Sequence, residues 1–358
     1  MRHRIPFSEV NILDNSILVV PSAYCLVPSI YVGTVTEGVQ STGHMDEDKP
    51  KVIAVVGPTA VGKTWLVSKL TKDLGGEIVN ADSVQIYRFM DIGTAKPTMA
   101  DRAEVAHHLV DIVDPDQDFD ASRYSQLARE VIASLARQDK PAIVVGGTGL
   151  YLKAIFHGLF PGAPSDPLVR QRLRREAEKK GGVELYQRLQ RIDPTTAQRV
   201  HPHDLFRIIR ALEVWECSGQ PISALQSDHD FKDRPFLPLK IGLRRPRPEL
   251  YERIDRRVEE MMAQGLLEEV RGLLSRGYGP NLKSMQALGY RHMVQHLING
   301  VDITEAVRTM KRDTRRYAKR QMTWFRRDRE INWFHPRQME DIVRLAGRFL
   351  GGLNRGDN

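Results

Sequence analysis

The run Gly57-Pro58-Thr59-Ala60-Val61-Gly62-Lys63-Thr64 constrains this chain more than any other stretch. Val52-Ile53-Ala54-Val55-Val56 before it is an apolar, β-branched run of strand length. Trp65 to Leu74 after it reads as a helix with Leu66, Val67 and Leu70 facing inward. Strand, glycine loop and helix in that order are the context a phosphate-binding loop requires. There the loop N–H groups and the helix N-terminus surround a phosphate, Lys63 neutralises it, and the Thr64 hydroxyl can ligate Mg²⁺. The expected ligand is a polyphosphate. Its fate stays open at this point, because hydrolysis, phosphoryl transfer and departure of a diphosphate all use the same cradle.

A chain of 358 residues with 41% hydrophobic content has room for a full α/β core and a second module. The net charge of +8 and pI of about 9.4 suit a polyanionic partner, or simply a solvated basic surface. Cys25 and Cys217 are too few for a disulfide framework and lack metal-ligand spacing, which points to a reducing cytoplasm. No run approaches the ~20 apolar residues that span a bilayer, so no membrane role is expected. Arg2 and Arg4 precede the apolar Ile17-Leu18-Val19-Val20, but Asp14, Asn15 and Pro21 make a poor signal peptide. Residues 1–45 are expected to be a disordered extension or a start assigned too far upstream.

Glu77 to Ala81 reads as a second strand running into Asp82-Ser83-Val84-Gln85-Ile86-Tyr87. Ligands of doubly wound sheets bind at the carboxyl ends of strands, so Asp82 is a candidate base facing the phosphate loop. The alternative reading is a helix cap together with Ser83. Met90 to Pro97 reads as an ordered loop over the site, with Lys96 either touching phosphate or lying on the surface. His107-His108 opens a further strand. Adjacent strand residues point apart, which argues against a metal pair. A helix is expected from about Ser122 to Gln138, and a buried strand over Pro141 to Val145 ending in Gly146-Gly147-Thr148-Gly149-Leu150-Tyr151. Nucleotide hydrolases usually end such a strand in a carboxylate for Mg²⁺. Here glycines allow close approach of a ligand backbone-side, and the Thr148 hydroxyl can hold a substrate group.

From Gly158 to about Pro238 the composition shifts to a Pro161, Pro164, Pro167 linker and charged amphipathic helices, read as a helical insertion. Its Arg207 and Arg210 lie one helical turn apart, able to straddle a phosphate backbone or to pair with acids. Lys240 to Leu243 returns to the sheet, followed by Arg244, Arg245 and Arg247. Leu250 to Leu274 reads as one long helix. Ile303 to Arg329 reads as a helix dense in Arg and Lys, opposed only by Glu305, Asp313 and Asp328. With Tyr317, Trp324 and Phe325 interleaved, it suits a nucleic-acid surface as well as a solvated face.

Six ordered blocks resemble the tRNA dimethylallyltransferases, also called tRNA isopentenyltransferases. They are G-P-T-A-V-G-K-T at 57–64, D-S-V-Q-I-Y-R-F-M-D-I-G-T-A-K-P at 82–97, G-G-T-G-L-Y at 146–151, R-A-L-E-V at 210–214, Q-A-L-G-Y-R at 286–291 and A-K-R-Q-M-T-W-F at 318–325. The resemblance runs from about Val52 to Phe334 and leaves the segment before Met45 without a counterpart. It implies transfer of a dimethylallyl group from dimethylallyl diphosphate to the exocyclic amine of the adenosine 3′ of the anticodon. On that reading the loop holds a leaving diphosphate, so no carboxylate for Mg²⁺ is needed at the glycine-ended strand.

The resemblance further implies roles. Asp82 is the base, Thr148 helps hold the amine or phosphate, and Lys63, Mg²⁺ near Thr64 and Arg247 stabilise the diphosphate. Arg247 is chosen over Arg244 and Arg245 on its spacing to Arg253-Ile254. The anticodon stem-loop of tRNA is assigned to Asp82, Ser83, Val84 and Gln85 at the flipped base, with Thr148; to Arg170, Phe206, Arg207, Ile208, Ile209 and Arg210 on the insertion; and to Gln286, Ala287, Leu288, Gly289, Tyr290 and Arg291. Base and donor are expected to enter a channel from opposite ends. The expected fold is α/β: a P-loop NTPase-like parallel sheet core flanked by helices (46–158 and 239–335), an inserted helical domain at 159–238 and a tail helix at 336–358, in a cytoplasmic monomer. Two rival readings are an ATP-binding small-molecule or nucleoside kinase, with the insertion as lid, and an adenylate isopentenyltransferase using free nucleotide. The kinase leaves Gly146-Gly147-Thr148 and the basic helix unexplained, and the basic insertion favours tRNA over a mononucleotide. A guanine-nucleotide switch would want an Asn-Lys-x-Asp element, which the chain lacks.

Overall fold

The computed structural model describes residues 49–158, 165–229 and 233–351. The expectations for residues 1–45, and for Pro161 and Pro164 in the linker, fall outside these residues. Six strands, β1 (Lys51–Val56), β2 (Glu77–Asn80), β3 (His107–His108), β4 (Ala142–Gly146), β5 (Leu237–Leu243) and β6 (Asn332–Phe334), form one sheet in the order β3-β2-β4-β1-β5-β6. Every neighbouring pair is parallel. The register sets Val56 level with Gly146 and Gly242, Asn80 with Val145, and Leu243 with Phe334. Five strands therefore end at one rim, and whatever follows them shares that rim.

Helices cover both faces, because alternate strand residues point to opposite sides. Val52, Ala54 and Val56 of β1 face a core with α3 (Ala121–Ala136) and α4 (Gly149–His157), whereas Ile53 and Val55 face α1 (Lys63–Leu74) and the C-terminal α14 (Met339–Leu350). Ile342 and Ala346 are fully buried there, so the tail helix is part of the core. The short α2 (Met99–Glu104) starts at a capping box between Thr98 and Asp101.

Helices α5 (Pro167–Lys180), α6 (Gly182–Ile192), α7 (Pro194–Arg199), α8 (Leu205–Ser218) and α9 (Ile222–His229) form the insertion. They surround an apolar cluster of their own, centred on Leu173, Leu185, Leu189, Ile208 and Leu212. After β5 come α10 (Arg247–Ala263), α11 (Leu266–Ser275), α12 (Tyr290–Asn299) and α13 (Ile303–Phe325). The single helix expected over Leu250 to Leu274 is thus two. Gly265, at φ 99°, takes a backbone conformation that a side chain would strain, and the chain turns there. The basic helix also ends earlier than expected, at Phe325, leaving Arg326 to Arg329 beyond it.

Candidate active site

The phosphate loop leaves β1 at Val56, and its Gly62 begins α1 with no side chain capping the helix N-terminus. The first-turn N–H groups are thus left to an anion. Lys63 Nζ folds back over the loop, donating to the carbonyls of Gly57 and Pro58, both at 2.9 Å. Burial drives the Lys63 ammonium down to about 8, opposed by the attraction of Asp82 and helped by the repulsion of Arg257. Those three charges therefore sit within reach of one another at the loop.

Asp82 stands one residue beyond Ala81, at the end of β2. Its Oδ1 accepts the N–H groups of Val84 at 2.9 Å and Gln85 at 3.4 Å. The capping geometry is real, yet Asp82 also lines a cavity of about 260 Å³. One oxygen holds the turn and the residue still faces open space. Opposite it in the cavity lie Thr59 and Ala60 of the loop, the apolar Ile254, Val258, Met261 and Met310, and Arg257, Tyr317 and Arg320. Thr148, beyond β4, accepts the Ser83 N–H at 3.1 Å and donates to Ser83 Oγ at 3.3 Å, tying the β2 and β4 ends together. Burial, reinforced by Asp82, pushes the Tyr317 phenol up, and Thr148 bonds it and pulls the other way.

Three participants escape sequence reasoning. Arg257 is half-buried, and the desolvation of its guanidinium lowers it from its ordinary value against the attraction of Asp82 and Glu260. It falls in the stripe of Ile254 and Met261, a cation inside an apolar helical face, and that was the available signal. Tyr317 reads in sequence only as an aromatic among arginines. Gln321, buried on α13, accepts the Thr59 N–H through Oε1 at 2.9 Å and donates through Nε2 to the Gly147 carbonyl at 2.9 Å. It braces the phosphate loop against the glycine loop.

The glycines of that second loop serve neighbours within the chain. A Cβ at Gly146 would meet the Ala81 carbonyl, one at Gly147 the Gln321 amide, and one at Gly149 the Trp324 indole. The space expected to admit a ligand is filled by the protein itself.

Among the predicted site residues, Asp82, Ser83, Val84, Thr59, Ala60, Gln286, Ala287, Leu288 and Arg291 share the one cavity. Arg247 does not. With Pro58, Arg244, Arg245, Tyr251, Lys319, Arg326 and His335 it lines a separate cavity of about 490 Å³ on the β5 side of the loop. It stacks on Tyr251, with its Nε 3.0 Å from the hydroxyl. Thr64 is exposed at the start of α1, and Gln85 bonds the carbonyls of Thr94 and Ala95. Lys96 is buried on Asp91, Asp111 and the Tyr87 carbonyl, and so is neither of the things expected of it. Its ammonium braces the 91–96 loop.

On the insertion, Arg170 and Arg210 converge on the fully buried Glu213, each at 2.9 Å. Burial raises that carboxyl, and the two guanidiniums outweigh it to hold it below its usual range. Ile208 and Ile209 are buried in the insertion's core, so their side chains hold α8 in place and do not reach a surface. Phe206 is 75% exposed and Arg207, paired to Asp204, is exposed too. Tyr290 is fully buried, and Gly289 lies behind it.

The charge on α13 is also less free than its sequence suggests. Acids of α10 join those of α13: Glu259 pairs with Lys311 and Asp255 with Arg315, while Asp313 takes Arg291, Arg312 and Arg316. Among the described residues, Lys319, Arg320, Arg326, Arg327 and Arg329 have no acidic partner; Lys319 and Arg326 share a cavity with Pro58 of the phosphate loop, and Arg320 one with Thr59 and Ala60. No group of three metal-ligating side chains occurs among the described residues, His107 and His108 included. No described helix is long and apolar enough to cross a membrane.

Comparison with known proteins places the chain in a family. The family model for IPP transferases matches residues 85–328. A tRNA dimethylallyltransferase of Syntrophobacter fumaroxidans is 55% identical over 301 residues, 84% of this chain and 88% of that protein. The crystal structure of the tRNA isopentenylpyrophosphate transferase of Bacillus halodurans superposes with a TM-score of 0.63 at 38% identity, covering 85% of this chain and 97% of that one. A eukaryotic dimethylallyltransferase captured acting on tRNA gives 0.64 at 28% identity, covering 76% and 69%. The overall fold is thus shared with these enzymes, and the chain belongs to the IPP transferase family, the tRNA dimethylallyltransferases.

Proposed function

We propose that this enzyme transfers the dimethylallyl group of dimethylallyl diphosphate to the exocyclic amine of the adenosine 3′ of the anticodon in tRNA, releasing diphosphate. The observation that carries this reading is the single cavity in which Asp82 faces the phosphate loop and Arg257 across an apolar wall of Ile254, Val258, Met261 and Met310. A prenyl diphosphate is an apolar chain joined to a polyanion, and the cavity offers both surfaces.

The amine's lone pair is delocalised into the adenine ring, so attack needs help. Asp82 accepts the N–H proton as the nitrogen bonds the allylic carbon, and Thr148, fixed to Ser83, orients the group. The allylic C–O bond breaks and its electron pair leaves on the diphosphate. Lys63, the loop N–H groups and Arg257 stabilise that charge, in a site where burial strengthens every such interaction. Thr64, exposed at the start of α1, is the hydroxyl that would hold Mg²⁺ beside the diphosphate. The ion would neutralise the leaving group.

The exposed Phe206 and Arg207, with Arg170 and Arg210 presented on Glu213, suit the tRNA loop and its backbone. Gln286, Ala287, Leu288 and Arg291 border the cavity where a splayed base would enter. Arg247 remains a donor-side contact from the second cavity, whose cations suit a diphosphate arriving from the end opposite the base. A cytoplasmic monomer is the working state.

The test is transfer of label from radiolabelled dimethylallyl diphosphate with Mg²⁺ to tRNA bearing adenosine next to the anticodon, with AMP in parallel. Label in tRNA alone is expected. Label in AMP would move the function to a free-nucleotide prenyltransferase, and ATP consumption without label would indicate a kinase.

A further inference from the structure

The Glu269 carboxylate of α11 accepts four hydrogen bonds. Oε2 takes the backbone N–H groups of Asp91 at 3.0 Å and Ile92 at 2.8 Å; Oε1 takes that of Gly93 at 3.2 Å and the Tyr290 hydroxyl at 2.6 Å. Three consecutive N–H groups converging on one anion form a backbone nest, here filled by a side chain some 180 residues away in sequence. Hydrogen bonds to an ionised acceptor are the strong kind. The loop is pressed from its other side too, since a Cβ on Gly93 would run into the Tyr290 ring.

That loop leads directly to the acceptor side of the site. Gly93 and Thr94 line the Asp82 cavity. Gln85 Nε2 donates to the carbonyls of Thr94 at 3.1 Å and Ala95 at 3.2 Å, while the Gln85 N–H belongs to the turn held by Asp82. A continuous run of hydrogen bonds therefore joins α11 to the turn that carries the proposed base, without touching Lys63 or the phosphate loop.

We propose that Glu269 is a positioning residue for the acceptor nucleoside. It fixes residues 91–95, which fix Gln85 and the Asp82 turn, so that its loss impairs use of tRNA and spares the prenyl diphosphate. The inference rests on the function proposed above.

The experiment measures both KM values and kcat for Glu269→Gln, Gln85→Ala and the double variant. A glutamine keeps the shape but sets an NH₂ donor against N–H donors. The expected result is a roughly tenfold rise in KM for tRNA, with KM for dimethylallyl diphosphate within about twofold of wild type. The double variant should be no worse than Gln85→Ala alone, because both act on one connection. Gly93→Ala, which pushes the loop off Tyr290, is a second route to the same split if Glu269→Gln folds poorly. Equal rises in both KM values, or effects of Glu269→Gln and Gln85→Ala that multiply, would overturn the proposal. Hydrogen exchange at the Asp91, Ile92 and Gly93 amides, which the proposal expects to quicken in Glu269→Gln, reads the clamp without turnover. Failure of wild-type transfer to tRNA is thus distinguishable from failure of the clamp.

Discussion

Two cavities flank the phosphate loop, and they differ in kind. The larger, on the β5 side, is lined by Arg244, Arg245, Arg247, Lys319, Arg326 and His335 with no acid among its walls. The smaller, on the β2 side, combines Asp82 with Arg257, Tyr317 and an apolar wall. A basin of one sign concentrates anions and does little else. Of the two, the smaller alone sets a carboxylate beside groups that can stabilise a leaving anion, which is why the proposed reaction is placed there and not in the larger volume.

The sharpest way to break the comparison is to remove the acid. Asp82→Ala is expected to lower turnover by about 10²–10⁴, the range of a positioned general base. Next, Arg257→Met should lower kcat/KM for the donor by roughly 10²-fold or more, and Arg247→Ala by only a few fold, read from donor titrations at saturating tRNA. Equal losses would put both cavities in the chemistry.

A pH profile sharpens the same point. Lys63, lowered to about 8, is charged below that pH and neutral above it, so kcat/KM for the donor should fall as pH rises through about 8. Lys63→Arg should shift that limb upward by keeping the charge.

Smaller effects are expected on the insertion. Arg210→Ala leaves the buried Glu213 with Arg170 as its remaining guanidinium and should cost about 2 kcal/mol, seen as a Tm lower by roughly 3 °C. Arg207→Ala should leave Tm unchanged and reduce the salt slope of tRNA binding by about one. An unchanged slope removes Arg207 from the phosphate contacts.

Much of this could be read from sequence, for a physical reason. The phosphate loop, Asp82 and Thr148 sit where parallel strands end, and a short apolar strand announces its own end. Arg257 could be picked out only by its place in the apolar stripe of Ile254 and Met261, since Arg253, Arg256 and Arg257 are otherwise alike on paper. In the fold Arg256 pairs with Glu252 on the surface, and Arg257 turns inward. The pairing of α13 cations with Asp255 and Glu259 depends on which helix packs beside which, as does the engagement of Gly147 and Gly149 by Gln321 and Trp324. Gly265 did mark its break, but the apolar period runs through it on either side. Ile208 and Ile209 show the limit of assigning a helical run whole: Phe206 to Arg210 lie on one helix, and part of that helix faces inward.

The most direct test of the account is single-turnover transfer to bound tRNA by Asp82→Ala, with the tRNA Kd measured on the same protein. The account predicts a rate lower by about 10²–10⁴ with Kd within a few fold of wild type. A Kd that rises as far as the rate falls would contradict it, making Asp82 a recognition residue in place of a base.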